Sequence, residues 1–406
     1  MLKSKRIQVF EHKILKIDRE YEGVSFEARH FEALVKLNQF HDNKYFTVLH
    51  KAVKFSEYVG VIQIDDIVIE VLPKVDNTEE DESLWQKVLI DMLKATKKLN
   101  VQNVGEANIS KQNIHLLDIY FEWFLNEVRS LIRQGLIKKY YKQTDNVKAL
   151  KGKLEFSGHI QKNLIHKERF YTTHQVYDKD HLLHQVLNQA LNIIEDLSKG
   201  TYLFSKCKTV QLDFPETNYI NCTSKTFDKI KYNRKNAPYE TAIEIARIII
   251  LNYAPNVTSG SERLLALLFD MNVLWEEYML VKLKEAFKES EYKVLGQRKK
   301  KFWNGITIRP DIVISNKTET FVIDTKWKNN KNNKPSTQDL RQMYVYNDYW
   351  DSLKSLLLYP ANKTQFGGFI DFEEKDQQCA LGKLNILKGN KLDPQIGDNI
   401  YKWFLE

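Results

Sequence analysis

Between Arg309 and Lys328 the chain reads RPDIVISNKTETFVIDTKWK. Two apolar runs, Ile312 to Ile314 and Phe321 to Ile323, flank the polar stretch SNKTET, and this pattern predicts a β-hairpin. With Asn316 to Glu319 as the loop, Ser315 pairs with Thr320, and counting outward in antiparallel register sets Asp311 opposite Asp324. Directly opposed residues have Cβ atoms about 4.5–5.5 Å apart, which brings two carboxylates within reach of one divalent cation. Lys326, two residues beyond Asp324, projects from the same strand face because side chains alternate with period two. The hairpin must therefore fold with two acids and one amine in a single pocket.

Two buried like charges repel, so such a pair needs a cation or a shared proton to persist. Magnesium meets that need, with manganese as a substitute, and it brings the Lewis acidity that phosphodiester hydrolysis requires, while Lys326 orients water or stabilises developing charge. The neighbouring segments extend the constellation. Val273 to Phe287 reads as a helix with Glu276 in the middle of an apolar stripe, a carboxylate that needs a partner and is expected as an additional acid at the site. Thr325, between Asp324 and Lys326, joins Asp311, Asp324 and Glu276 as a candidate metal ligand. Downstream, Ser336 or Thr337 caps a helix through DLRQMYVYNDYW, in which Gln342 and Tyr346 lie one turn apart and face the site edge or a phosphate. The basic run RKKKFW, Arg298 to Trp303, places Lys299 and Lys300 as candidate backbone contacts. Each of these flanking residues also has an ordinary structural reading, as a satisfied half-buried acid, core packing or a solvated charged face.

At 406 residues the chain is too long for one small core, and several folding units are expected. An apolar share of 43% with no run long enough to span a bilayer, and a start MLKSKRIQVFEHKIL without a secretory h-region, lead to the expectation of a cytoplasmic protein with no membrane role. Cys207, Cys222 and Cys379 are far apart and form no CxxC pair, which argues against a zinc cluster or a disulfide framework, and the net charge of +8 is compatible with a polyanion but weak by itself. No GxxxxGK[ST] phosphate loop occurs, so the chain is not expected to bind or hydrolyse nucleotides by itself.

Residues Lys44 to Val75 are rich in β-branched and aromatic residues and predict a β-rich N-terminal region, followed by an acidic loop at Asp76 to Ser83 and a helix at Leu84 to Lys97. Amphipathic spacing predicts helices over Ile114 to Ile137, His181 to Leu197 and Tyr239 to Tyr253, with an extended piece at Leu150 to Ile160. The clearest break is Ala254 to Glu262. The expected architecture is multidomain α+β: a β-rich region over 1–110, a mainly helical region over 111–258, and an α/β domain of mixed sheet and flanking helices over 259–406.

The helix with an acid, the hairpin with PD then DTK, and the helix with QxxxY together resemble the PD-(D/E)xK nuclease superfamily. LLALLFDMNVLWEEYM, RPDIVI, VIDTKWK and DLRQMYVY are similar to phrases of the McrC family, the cleavage subunits of McrBC modification-dependent restriction systems. YVGVIQIDDIVIEVLPKV, RQGLIKKYYKQTDNVKALKGKLEF and YDKDHLLHQVLNQAL are similar to phrases of the same family in the same order. Where that family usually carries arginines, this chain has Lys151 and Lys153. The resemblance implies a restriction-endonuclease-like C-terminal domain with Asp311, Asp324 and Lys326 as the catalytic set and Glu276 as the helix acid. It also implies a partner, a McrB-like AAA+ GTPase ring that docks on the N-terminal part and whose hydrolysis is stimulated. The partner then reads the DNA. Residues 1–255 are accordingly expected to serve docking and to be dispensable for the nuclease fold. Two other readings stay open: a stand-alone RecB-like repair nuclease, and a catalytically silent GTPase-activating adaptor.

Overall fold

The computed structural model describes residues 5–65, 67–75, 81–98, 115–255, 263–328, 330 and 334–405. Part of the expected acidic loop (76–80), most of the expected break (256–262) and the boundary near residue 110 lie outside the described residues. The chain is mixed α+β and divides into two compact units, Gln102–Tyr253 and Ser4–Val101 together with Ala254–Glu406. The first and third of the segments expected from the sequence thus share one unit, and strand pairing is the reason.

In that unit Tyr58–Ile64 pairs antiparallel with Ile67–Leu72 on one side and with Arg263–Asp270 on the other, and Lys5–Phe10 runs parallel along the outer edge of Ile67–Leu72. IVIEVL is buried at every position, as expected of a strand covered on both faces. The approach of Tyr58–Ile64 to Arg263–Asp270 depends on Gly60, which has φ 142° and where an added Cβ would lie 2.0 Å from the Leu267 carbonyl oxygen. Phe26, Leu34, Phe55, Ile62, Ile69 and Ala266 share one core beneath this sheet. Part of that core is the helix Ala28–Phe40, inside a region that the sequence predicts as β-rich. Arg263–Asp270 then turns directly into the helix Met271–Ala286, with Asp270 Oδ1 accepting from the backbone N–H of Asn272 at 2.9 Å and of Val273 at 3.3 Å.

A second sheet in the same unit has the order Lys293–Gly296, Ile312–Ser315, Thr320–Thr325, Lys354–Ala361, Lys375–Asn385, Gln365–Phe366. The first three strands are antiparallel and the next two are parallel to Thr320–Thr325. The helix Thr337–Trp350 is the crossover between Thr320–Thr325 and Lys354–Ala361. Ser336 caps its start, accepting from Asp339 N–H at 3.1 Å, and Asp351 ends it in the left-handed region at φ 52°. Val313, Val322, Met343, Tyr346 and Leu357 pack together on this helix's side of the sheet. On the other face Phe321 meets the rings of Trp403 and Phe404 from the helix Ile396–Leu405. The sheet is thus mixed, with helices on both faces.

The unit Gln102–Tyr253 carries the helices Leu116–Gln134, Leu182–Leu197 and Glu240–Leu251, close to the expected spans, and a further helix, Tyr202–Asp213, that the sequence reading does not include. It also holds a three-stranded antiparallel sheet that the sequence does not announce, built from Lys153–Leu154, Phe170–Asp178 and Lys139–Val147. The extended piece expected over Leu150 to Ile160 is confined to Lys153–Leu154, and the helix Phe156–Asn163 follows it. Among the described residues no helix is long and apolar enough to cross a membrane.

Candidate active site

The hairpin forms in the register read from the sequence: Ser315 opposes Thr320 and Ile312 opposes Ile323, so Asp311 and Asp324 are the next positions outward. Asp324 is on the face of Val322, toward the helix Thr337–Trp350, because alternate residues share a face. Its carboxylate is 1% exposed and forms an ion pair with Lys326, Oδ2 to Nζ 2.7 Å. Gln342 from the helix closes the group, donating from Nε2 to Asp324 Oδ1 at 3.3 Å while its Oε1 accepts from Lys326 Nζ at 3.1 Å. The same Nε2 lies 2.8 Å from the Tyr346 hydroxyl, which in turn donates to the Arg309 carbonyl at 2.8 Å. Gln342 and Tyr346 are therefore the struts that hold Lys326 and the Arg309–Asp311 segment together.

Asp311 is fixed by Thr325, whose backbone N–H and hydroxyl both donate to Oδ2, at 2.7 and 2.9 Å. Thr325 spends its side chain on Asp311. Glu276 accepts from Gln297 Nε2 at 2.6 Å, and Gln297 Oε1 accepts from Arg309 Nη1 at 3.0 Å. Gln297 sits at φ 50°, a backbone conformation uncommon for a residue with a Cβ, and its backbone N–H donates to the Asp311 carbonyl at 2.9 Å.

The electrostatics follow from burial. Desolvation raises the pKa of Asp311 against the donors of Thr325. Desolvation and then the charge of Asp311 push Asp324 well above the usual carboxylate range, against the pull of Lys326. Burial works against the Lys326 ammonium, but Asp324 outweighs it and holds the group above its ordinary value. Glu276 is raised by burial and by Asp311. One pocket thus concentrates more negative charge than one lysine neutralises, and its donors are hard oxygens, the set that magnesium accepts. Among the described residues no three His, Cys, Asp or Glu side chains converge into a cage, so Glu276 does not complete a three-acid cluster with the pair. Two carboxylates suffice for magnesium, which keeps several of its waters.

Of the basic run, Lys299 is exposed, while the Lys300 ammonium donates to the Tyr349 carbonyl and lies 5.1 Å from the centre of the Trp350 ring. Lys300 is a structural clamp at the end of the Gln342 helix. The sequence reading missed Gln297 and Trp327. Trp327 Nε1 donates to Glu11 Oε1 at 2.7 Å in the interior, and its ring is 5.5 Å from Trp275, next to Glu276. Glu11, which also accepts from the backbone of Lys74 at 2.8 Å, is pushed up to about 7 by burial. Tertiary contacts alone reveal these links, since Glu11 and Trp327 are 316 positions apart in the chain.

Comparison with known proteins agrees with this architecture. A type IV methyl-directed restriction enzyme of Escherichia coli K12, EcoKMcrBC, is 22% identical over 166 residues, which is 40% of this chain and 47% of that protein, so the match spans less than half the relative's length. A half-complex from the tetradecameric assembly of Thermococcus gammatolerans McrB AAA+ hexamers with bound McrC contains a chain of the same fold, with TM-score 0.72 and 18% identity over 99% of this chain and 100% of that one. A cryo-EM structure of the Thermococcus gammatolerans McrBC complex gives TM-score 0.51 and 19% identity, covering 70% of this chain and 88% of that chain. The family described as McrBC 5-methylcytosine restriction system component matches residues 53–360, about three quarters of the sequence, and the chain belongs to that family.

Proposed function

We propose that this chain is the metal-dependent endodeoxyribonuclease subunit of a modification-dependent restriction system, with a restriction-endonuclease-like PD-(D/E)xK domain. The observation that carries the reading is the half-buried Asp311 beside the buried Asp324, with Lys326 in ion-pair contact with Asp324 at one hairpin end. Asp311 and Asp324 would hold magnesium, which when bound supplies charge neutralisation and Lewis acidity toward a phosphoryl oxygen. Lys326, protonated at neutral pH, stabilises negative charge at the reacting phosphate. Gln342 sets the direction of the Lys326 ammonium, and Thr325 keeps Asp311 in one rotamer. Glu276, held by Gln297, supports the local field and offers a further acceptor for a water.

The family description points to DNA carrying 5-methylcytosine as substrate. The fold shared with a chain bound to McrB AAA+ hexamers points to a ring-forming GTPase partner. For docking, the unit Gln102–Tyr253 offers a better surface than the expected residues 1–110, whose strands are built into the unit that holds the site. Phe156, Ile160 and Leu164, at helical spacing, are 71%, 63% and 73% exposed, and Leu150 and Ile165 are exposed as well. Such an apolar stripe left in solvent marks a protein contact. The nuclease assignment is tested by incubating methylated and unmethylated plasmid with the chain and its partner. Cleavage should need magnesium, stop with chelator and be absent with Asp311→Asn. Chelator-resistant cleavage would refute it.

A further inference from the structure

The segment between the acid helix and the PD hairpin forms a small finger of its own. Lys300–Trp303 pairs antiparallel with Ile306–Ile308, with a register shift between Lys301 and Trp303, and the turn is Asn304-Gly305 at φ 33° and 85°, both in the left-handed region that such hairpin turns require. Its root is fixed to the site on both sides. Gln297 before it holds Glu276, Arg309 after it leads into Asp311, and Phe302 packs on Tyr349 with ring centres 5.6 Å apart. Its tip has the opposite character: Trp303 is 67% exposed and Ile306 is 52% exposed. Residues 298–309, RKKKFWNGITIR, contain five cationic side chains and no acid.

An exposed tryptophan costs solubility unless something covers it, and the finger's charge selects a polyanion over an apolar or basic protein partner. Strands rise about 3.3 Å per residue, so the tip stands on the order of 10 Å beyond Arg309 and the acid pair, about three nucleotide steps along a DNA strand. We propose that this finger contacts the DNA beside the cleaved phosphate, with Lys299 and Lys301 on the backbone and Trp303 stacked against a base or wedged at a base step. Resting on the nuclease reading, it adds to that reading a base-contacting element outside the metal pocket.

The test is fluorescence anisotropy of the full-length chain on a labelled 20-base-pair duplex in chelator, over a range of salt. Trp303→Ala should weaken binding about ten-fold or more with the salt slope unchanged, Trp303→Phe should stay within about three-fold of the parent, and Lys299→Ala with Lys301→Ala should flatten the salt slope by about two phosphate contacts. Melting temperatures should be unchanged because these side chains are exposed. Trp303→Ala binding as well as the parent would overturn the finger and leave the nuclease reading standing. A parent chain that binds no duplex at low salt would overturn the finger as a DNA contact, while the plasmid assay with the partner still decides the nuclease reading. Trp303→Ala that keeps DNA affinity but fails to stimulate the AAA+ partner would make the tip a protein contact and overturn the proposal.

Discussion

At the scale of single residues the site is a problem in buried charge. Burial raises the cost of ionising both Asp311 and Asp324, the charge of Asp311 raises that of Asp324 further, and Lys326 offsets only part of it. Glu11 presents the same physics away from the pocket. Its carboxyl is raised from 4.5 to about 7, chiefly by burial, so between those values the folded chain binds a proton that the unfolded chain has released. Stability from this group is full below about 4.5 and is lost as pH rises through 7, by on the order of 3 kcal/mol at most. Glu11→Gln keeps an acceptor for Trp327 and Lys74, so its melting temperature should depend less on pH over that window and should exceed the parent's at pH 8. Equal pH profiles would show that Glu11 does not carry the titration. The acids and lysine of the site were legible in the sequence because antiparallel register is counted from the turn. Thr325 on Asp311 and Gln297 on Glu276 were not, since both are rotamer choices that only packing determines.

At the scale of elements, legibility follows solvent. The helices Leu182–Leu197 and Thr337–Trp350 bury one face and announce themselves by spacing, whereas Lys139–Val147 and Phe170–Asp178 are largely exposed or half-buried and so lack apolar alternation. The sequence pattern sets residues 263–270 at the opening of a separate domain, because the strand they pair with, Tyr58–Ile64, is some two hundred residues away. The helix Phe156–Asn163 supplies the docking prediction. Replacing Phe156 and Ile160 together by Ser removes apolar surface that the free chain leaves in water, so stability should change by no more than about 0.5 kcal/mol. Stimulation of the partner's GTP hydrolysis should fall ten-fold or more. Unchanged stimulation would move the docking surface elsewhere.

The whole molecule is less divisible than its sequence suggested. A fragment starting at residue 258 would keep every proposed catalytic residue but would leave Leu264, Leu265, Ala266 and Leu267, all buried, without the Tyr58–Ile64 strand, and Trp327 without Glu11. Exposing such side chains costs about 1.5–3 kcal/mol for each leucine, so the fragment should aggregate or show no cooperative melting. A fragment that melts cooperatively near the parent's temperature would restore the expected independent domain. Chemistry and docking are nonetheless assigned to different surfaces, and one substitution separates them. Asp324→Asn preserves shape and removes the charge at the centre of the pocket. In the complete complex with magnesium and methylated DNA, measured for cleavage and GTP hydrolysis together, cleavage should drop by at least a thousand-fold while stimulated GTP hydrolysis stays at the parent level. Cleavage that persists in a folded Asp324→Asn chain would contradict the assignment of this pocket as the nuclease site.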